Sequence, residues 1–448
     1  MRVTAPARGA SIPSSALPLT YFAFAHLCLA AALATLVVSP SLPGAFFYHP
    51  SMIAVVHLLT LGWLTGSILG AFYIVAPLAL VTPLPVRARD WVGFGAFVGG
   101  TCGMVAHFRL GSYDGMAWSA VLVLAPIAHL GARAWRGLQR APVAPAVTLH
   151  IRLAFINILA AGVLGIVIGL DRTRGFLGLS PLAATFTHAH IAALGFVAMM
   201  VIGLSYRLMP MMLPAAMPSG ARLAASAVLI EAGLALLVAA LFTGWDVVPA
   251  AALLMLAGLA SFVVRMMKVA SRRLPRPPAL PRRDWSVWQV HAAFIWLVIA
   301  ATLGFILSRR GAAGHAGLAW FYGTAGLVGF LAQIVTGMHG RLVPFYAWYR
   351  AMAAAGGAHP RGSAHALVSS RLAGAVFFAW TAGVPVLAAG LALTAPLLVR
   401  AGSLALLIGV VLGGVHLVHI FKGAHRLTRT AAPDQARPVS TATTSAAV

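Results

Sequence analysis

Acidic residues are almost absent from this chain of 448 residues, which has seven aspartates and glutamates against 31 lysines and arginines. All charged residues together make up 8% of the sequence, a proportion that excludes an ordinary soluble domain. The chain has only two cysteines, Cys28 and Cys102, in separate apolar stretches. Two isolated cysteines form neither a disulfide framework nor a CxxCH motif, so covalently attached heme is not indicated.

Long apolar segments fill the sequence instead, with 61% hydrophobic residues and a mean hydropathy of +0.93. About 20 consecutive apolar residues are enough for a helix to cross a bilayer. We identify twelve such segments, at roughly 18–38, 51–81, 91–111, 116–137, 150–170, 185–214, 222–242, 247–269, 287–308, 316–347, 371–392 and 397–421. The sequence therefore predicts an all-α polytopic protein with twelve transmembrane helices, whose main partner is the lipid bilayer.

The net charge of +24 suggests a nucleic-acid partner at first sight, but the distribution of charge argues against one. The predicted loops on one side of the membrane, together with both chain ends, hold 25 of the 31 lysines and arginines. The loops on the other side hold the remaining six, which are Arg109, Arg172, Arg174, Arg309, Arg310 and Arg400. Because basic loops stay in the cytoplasm, both termini are predicted to be cytoplasmic. We expect the basic loops to face anionic lipid and expect no nucleic-acid binding.

One membrane domain is predicted, with a short segment on either side of it. Residues 1–17 form a cytoplasmic N-terminal segment with no separate apolar stretch, so we expect no cleavable signal peptide. Residues 18–427 form the twelve-helix domain. Residues 428–448 are rich in alanine, threonine, serine and proline, a composition that predicts a disordered cytoplasmic tail.

The membrane domain is a triplication, because one pattern occurs in its second, sixth and tenth predicted spans. It reads HLLTLGWLTGSILGAFYIVAP from His57, HIAALGFVAMMVIGLSYRLMP from His190 and TAGLVGFLAQIVTGMHGRLVP from Thr324. If these three residues are numbered +0, every copy has glycine at +5 and +13, an aromatic residue at +6 and proline at +20. The starts are 133 and 134 residues apart. The spacing predicts four helices per repeat, over about 18–140, 141–283 and 284–427.

Histidine occupies +0 in two of the three copies, and His188 stands two residues before His190. Ionisable residues inside a membrane are candidates for function, and imidazole is a common ligand of heme iron, copper and zinc. Side chains two residues apart on a helix point about 200° apart, so His188 and His190 face different neighbours. The alternative is that these histidines form hydrogen bonds between helices. The repeated glycines suit either close helix packing or the approach of a flat macrocycle to the backbone.

Other polar residues extend the set of candidates. His49 and His107 are expected near the same side of the membrane as His57, and the three together could hold copper or another metal. The alternative for His49 and His107 is hydrogen bonding at the membrane interface. Glu231 is the one acidic residue well inside a predicted span, where it could deliver a proton or pair with a buried arginine or histidine. The shortage of buried carboxylates argues against proton pumping.

Four further residues lie toward the predicted cytoplasmic ends of the spans. His339, at +15 of the third copy, is a weaker ligand candidate, and His26 falls in the cytoplasmic half of the first span. Arg207 and Arg341 match at +17 in the second and third copies. We expect these arginines to anchor their helices at the cytoplasmic interface.

The segment THAHIAALGFVAMMVIGLSYRLMP, residues 187–210, resembles the tenth helix of subunit I of heme–copper oxidases. The similarity is greatest to the cbb-type oxidases, whose helix has HxH, a Leu-Gly-aromatic triplet, a tyrosine and a proline at similar spacing. Twelve helices in three pseudo-equivalent four-helix arcs are also the architecture of that superfamily, and the NnrS-like membrane proteins are similar in plan. The resemblance covers the plan of nearly the whole chain, whereas the specific motif covers about 25 residues.

The resemblance implies a heme site. In that family the HxH pair serves two hemes, and a histidine on the second span completes the pair of ligands of the low-spin iron. His57 matches that second-span residue. The resemblance therefore implies a b-type heme held by His57 and His190, with His188 an axial ligand at a second heme.

The chain departs from the family pattern at three places. HxH lies on the sixth span and not the tenth, where Thr324 stands, and the seventh span has no histidine for the family's copper site. No tyrosine has the family's spacing for joining a copper ligand. One hypothesis is that the heme site has moved by one repeat, so that His57 and His107 become metal ligands that face a heme on His188.

We expect a membrane b-type heme protein of a bacterial inner membrane that transfers electrons, or that binds or reduces nitric oxide or oxygen, without pumping protons. Its electrons would come from quinol or a cytochrome. The alternative is a transporter or a gas-sensing stress protein that keeps the fold without redox chemistry.

Overall fold

The computed structural model describes residues 15–45, 48–178, 180–244, 246–275, 283–311, 314–354 and 363–430. Twelve of its helices are long and apolar enough to cross a membrane. They are α1 (Leu17–Val38), α2 (Pro50–Leu78), α3 (Ala88–Leu110), α4 (Tyr113–Arg140), α5 (Pro145–Arg174), α6 (Pro181–Met212), α7 (Ala221–Thr243), α8 (Val248–Ser271), α9 (Trp285–Arg310), α10 (Ala316–Ala354), α11 (Ser370–Ala392) and α12 (Pro396–Thr428). Each predicted span has its helix. Most of the predicted N-terminal segment and of the predicted tail lies outside the described residues.

The described residues contain no strand, so the prediction of an all-α polytopic membrane fold is confirmed. Local signals explain several helix ends. Proline is the first residue of four helices, where its missing amide hydrogen costs nothing; these are Pro50, Pro145, Pro181 and Pro396. Glycine with a positive φ, which residues with a side chain disfavour, follows the end of four helices; these are Gly111, Gly175, Gly244 and Gly311, with φ of 68°, 62°, 75° and 77°.

The twelve helices form a closed ring of three four-helix repeats. We call α1–α4 repeat 1, α5–α8 repeat 2 and α9–α12 repeat 3. The last helix of each repeat packs against the first helix of the next, and α12 packs back on α1. The second helices of the repeats, α2, α6 and α10, are the three most buried of the twelve. The repeated segments thus lie at the inside of the ring.

Each of these second helices contains a π-helical stretch that begins at +1. The stretches are Leu58–Thr65, Ile191–Ala198 and Ala325–Ala332. π-Helices are rare in proteins, and many of those that do occur lie at functional sites. Here the stretch also follows Thr324, in the copy that has no histidine at +0. The π-helix therefore belongs to the shared scaffold, and the identity of the +0 residue is what varies.

The repeated glycines pack each second helix against the first helix of its own repeat. At +5, a Cβ atom on Gly62, Gly195 or Gly329 would lie 2.3–2.6 Å from a side-chain atom of Cys28, Asn157 or Trp296 respectively. At +13, a Cβ atom on Gly70, Gly203 or Gly337 would lie 2.7–3.2 Å from atoms of Tyr21, His150 or Gln289. The two partners within a repeat are seven residues apart each time, as in Tyr21 and Cys28. Close helix packing accounts for these glycines, without a macrocycle.

Adding a side chain at +5 should therefore destabilise the bundle. In a Gly62→Val variant the new Cβ would lie 2.3 Å from the Cβ of Cys28. We expect a loss of about 1–3 kcal/mol, the usual cost of overpacking, measured as a lower unfolding temperature in detergent. The matched control is Gly99→Val in α3, where a new Cβ has no atom within 4 Å. Equal stability of the two variants would contradict this role for Gly62.

The arginines at +17 also join neighbouring repeats. Arg207 Nε donates to the carbonyl of Ala79 at 2.7 Å, and Arg341 Nη2 donates to the carbonyl of Met212 at 3.4 Å. Both acceptors lie at +22 of the preceding repeat, among the last carbonyls of a helix, which lack helical partners. At the third junction, +17 is Ile74, which is fully buried in an apolar cluster that includes Tyr346, the +22 residue of repeat 3.

Candidate ring-pair sites between the repeats

His57 and His188 face each other across the junction of repeats 1 and 2. Their ring centroids are 6.3 Å apart and their planes differ by 24°. The sequence predicts His57 and His190 as one ligand pair, whereas the structure brings His57 next to His188. The reason is the angle of about 200° between positions two residues apart on a helix, which turns His190 away from α2 when His188 faces it.

Backbone carbonyls fix the orientation of both rings. His57 Nδ1 donates to the carbonyl of Ile53 in its own helix at 2.8 Å, and His188 Nδ1 donates to the carbonyl of Ala161 in α5 at 2.8 Å. Because a carbonyl only accepts hydrogen bonds, each Nδ1 carries the proton and each Nε2 has a free lone pair. Neither Nε2 has a hydrogen-bond partner among the described residues. Gly165 makes room on α5, since a Cβ there would lie 3.0 Å from the Cε1 of His188.

His190 pairs instead with Tyr322, across the junction of repeats 2 and 3. The ring centroids are 6.2 Å apart with planes at 23°, almost the geometry of the first pair. His190 Nδ1 bonds to the carbonyl of Phe186 at 2.7 Å, and Nε2 lies 3.2 Å from the hydroxyl of Tyr322. Sequence reasoning missed Tyr322. Its signal was present, because Tyr322 stands two residues before Thr324 as His188 stands before His190.

The two pairs follow one rule, in which the +0 residue of one repeat meets the −2 residue of the next. We call such a place a ring-pair site. The rule assigns Thr324 and Val55 to the third junction, between repeats 3 and 1. Both residues line a cavity of about 120 Å³ whose other lining residues are apolar apart from glycine, among them Leu29, Leu59 and Trp380. The Thr324 hydroxyl bonds back to the carbonyl of Trp320 at 2.8 Å. Neither Thr324 nor Val55 carries an imidazole, so the ring-pair position of this junction has none.

The expected copper ligands do not come together. His49 precedes the first turn of α2, where its Nδ1 accepts the amide hydrogen of Ser51 at 3.2 Å. The ring of His107 lies over Gly115, at the turn between α3 and α4. Among the described residues no three His, Cys, Asp or Glu side chains are grouped as a metal site, so His49, His57 and His107 do not form one. The ring that packs on His57 from α3 is Phe108, at 4.8 Å between centroids.

Glu231 pairs with an amide and not with an arginine or histidine. Its Oε1 accepts a hydrogen bond from Asn157 Nδ2 at 2.6 Å, and the same nitrogen bonds to the carbonyl of Leu153 at 3.0 Å. Asn157 is also the residue that packs against Gly195 at +5. Through Asn157, Glu231 is therefore connected to the helix contact at Gly195, which lies five residues after His190 in α6.

A polar cluster lies where Asp284, just before α9, and His365, in the turn at residues 364–367, meet Arg341 of α10. Arg341 Nη1 bonds to Asp284 Oδ2 at 2.7 Å and lies 3.2 Å from His365 Nδ1. Burial, together with the positive charge of Arg341, lowers the pKa of His365, and Asp284 partly opposes the shift. The folded protein therefore keeps this imidazole neutral at a pH where an exposed histidine is charged.

The lowered pKa of His365 predicts a pH dependence of stability. Below the ordinary histidine pKa of about 6.5 the unfolded chain binds a proton that the folded chain does not, so stability falls as the pH falls. We expect the unfolding temperature to drop less in His365→Gln than in the parent protein between about pH 7.5 and about pH 5.5. His315→Gln, at an exposed histidine, is the control. An identical drop in the parent and in His365→Gln would contradict the assignment.

Comparison with known proteins does not supply a family, since neither a family model nor a curated protein sequence matches this chain. The functional proposal therefore rests on the two ring-pair sites that contain histidine.

Proposed function

We propose that this chain is a membrane b-type heme protein in which His57 and His188 together would hold one heme. The observation that carries the proposal is the facing pair of imidazoles with both Nδ1 atoms bonded and both Nε2 atoms unpartnered. A hydrogen bond from Nδ1 to a carbonyl fixes the ring and raises the basicity of Nε2, as in most histidines that bind metals.

The ring separation fits a shared metal atom. Two metal–nitrogen bonds of about 2 Å, plus about 1 Å from each nitrogen to its ring centre, place the two centroids about 6 Å apart. The observed centroid separation is 6.3 Å. Most of each imidazole is enclosed by apolar helices, an environment that favours a neutral ring able to coordinate iron.

The two ring-pair sites suit different parts of the proposed function. The His57–His188 site, where two imidazoles would hold the heme, suits electron transfer. We assign the binding of a small gas such as nitric oxide or oxygen to a second heme, which His190 alone would hold in exchange for the hydrogen bond between its Nε2 and the Tyr322 hydroxyl.

The proposal also accounts for the departure from the heme–copper oxidase pattern. If the ligands have moved by one repeat around the ring, HxH on α6 serves the junctions on either side of repeat 2. We propose on this basis a divergent member of that superfamily, in a bacterial inner membrane with both termini cytoplasmic. Quinol or a cytochrome would supply the electrons.

Visible spectroscopy tests the proposal directly. The protein should be purified in detergent from cells supplied with a heme precursor, and its oxidised and dithionite-reduced spectra recorded. We expect a Soret band and, on reduction, the sharp α-band of a low-spin b-type heme. Protein that is folded but has no Soret band would reject the heme proposal and would favour a transporter that keeps the fold without redox chemistry.

A further inference from the structure

A second group of nitrogen-bearing rings lies at the junction of repeats 3 and 1, away from both ring-pair sites. His339 of α10 and His26 of α1 have ring centroids 5.6 Å apart with planes at 26°. The indole of Trp63 in α2 lies 4.9 Å from the ring of His26 and 5.1 Å from that of His339, nearly perpendicular to the former. Three helices from two repeats thus bring two imidazoles and an indole together.

The equivalent place at the junction of repeats 1 and 2 holds two phenylalanines. His339 is at +15, where repeat 1 has Phe72, and His26 stands two residues before Cys28, as Phe155 stands before Asn157. Phe72 and Phe155 pack edge to face at 5.4 Å. Two apolar rings fill this place at the junction of repeats 1 and 2, so packing alone does not require histidine at the junction of repeats 3 and 1.

Most nitrogen atoms of this cluster have no hydrogen-bond partner among the described residues. His339 is 5% exposed, and within the described part of the chain neither of its ring nitrogens has a partner. The indole nitrogen of Trp63 is likewise buried without a partner in that part of the chain. His26 Nδ1 donates to the carbonyl of Phe22 at 2.8 Å, which leaves Nε2 with a free lone pair and no partner among the described residues. Each buried polar group left unsatisfied costs roughly 1–3 kcal/mol, so a ligand that bonds to these nitrogens would stabilise this place.

We propose that His26 and His339 bind one copper(I) ion between repeats 1 and 3. Imidazole suits copper, and copper(I) is stable with only two ligands. Zinc needs four ligands in a structural site, and no group of three candidate ligands exists among the described residues. A single positive charge is also cheaper to bury than the double charge of zinc.

Trp63 contributes to the site through its ring. A cation within about 6 Å of an aromatic face is attracted to it, and tryptophan is the strongest of the aromatic side chains in this respect. The indole lies beside both imidazoles, so an ion held between them would lie close to the indole ring. The site is separate from the proposed hemes and does not depend on them.

Copper binding by the full-length protein in detergent tests the proposal. The parent protein, titrated with copper(I) under ascorbate against a chromogenic chelator, should hold one equivalent of copper. X-ray absorption should show a shell of two nitrogen ligands. The variant His26→Phe with His339→Phe copies the Phe72–Phe155 pair, so it should fold and should lose this copper by at least about tenfold.

Two controls separate this site from the others. His57→Ala should keep its copper even if it loses heme, and His150→Phe should also keep it, because both nitrogens of His150 already have protein partners. A parent protein without copper would mean that ordered water alone satisfies the rings, which overturns the proposal. Copper retained in the double phenylalanine variant, or lost in His57→Ala, would overturn it as well.

Discussion

His57→Ala and His188→Ala should each abolish the low-spin heme spectrum, whereas His190→Ala should leave it in place. The first two residues form the ring pair between repeats 1 and 2, and removal of either leaves only one imidazole for the iron. His190 faces Tyr322 at another junction. Loss of a supporting hydrogen bond alone lowers metal affinity about 10–100-fold, and loss of a ligand should cost more. The measurement is heme content per protein, together with the reduced spectrum.

The variants at the two junctions must be compared with each other. His190→Ala and Tyr322→Phe should alter gas binding to the reduced protein and leave the low-spin α-band unchanged. His49→Ala, in the first turn of α2, should change neither. If His190→Ala removes the low-spin spectrum while His188→Ala keeps it, the pairing seen in the structure is not the one that binds heme.

Asp90→Ala should be the most destabilising of the single charge-removing substitutions, by about 3–5 kcal/mol. The Asp90 carboxylate is fully buried and forms an ion pair with Arg133, which is 12% exposed. It also accepts hydrogen bonds from the Tyr73 hydroxyl at 3.2 Å and the Arg87 amide at 2.6 Å. Removing the carboxylate leaves the guanidinium of Arg133 buried without its counter-charge.

The control for Asp90 is a pair of the same chemistry on the surface. Asp114 and Arg174 are 3.4 Å apart, with side chains that are 56% and 62% exposed. Because exposed ion pairs contribute roughly 0–1 kcal/mol, Asp114→Ala should leave the unfolding temperature nearly unchanged. Equal destabilisation by the two substitutions would show that the burial of Asp90 does not determine its contribution.

The helices could be predicted from the sequence because their signals are local. Apolar length defines each span, and residues such as Pro50 and Gly111 mark helix ends whatever lies around them. The triplication was equally visible, since glycines and prolines recur at fixed positions. The π-helical stretches were not predicted, because no residue type specifies them.

The pairing of the histidines could not be derived in the same way. It depends on which repeat follows which around the ring and on the face that each helix turns inward, and both are set by packing between distant parts of the chain. Sequence reasoning did establish that His188 and His190 face different neighbours. It could not name those neighbours, and it placed His26 and His339 on separate spans without a reason to bring them together.

A protein in which +0 of one repeat meets −2 of the next could arise from a trimer of single repeats. Each ring-pair site takes one residue from each of two repeats, so a single four-helix unit holds only two half-sites. Three identical units around a threefold axis would form a homotrimer with three identical sites, since head-to-tail contacts close into rings. Fusion into one chain frees each copy to change alone, and the three junctions now hold His57 with His188, His190 with Tyr322, and Thr324 with Val55.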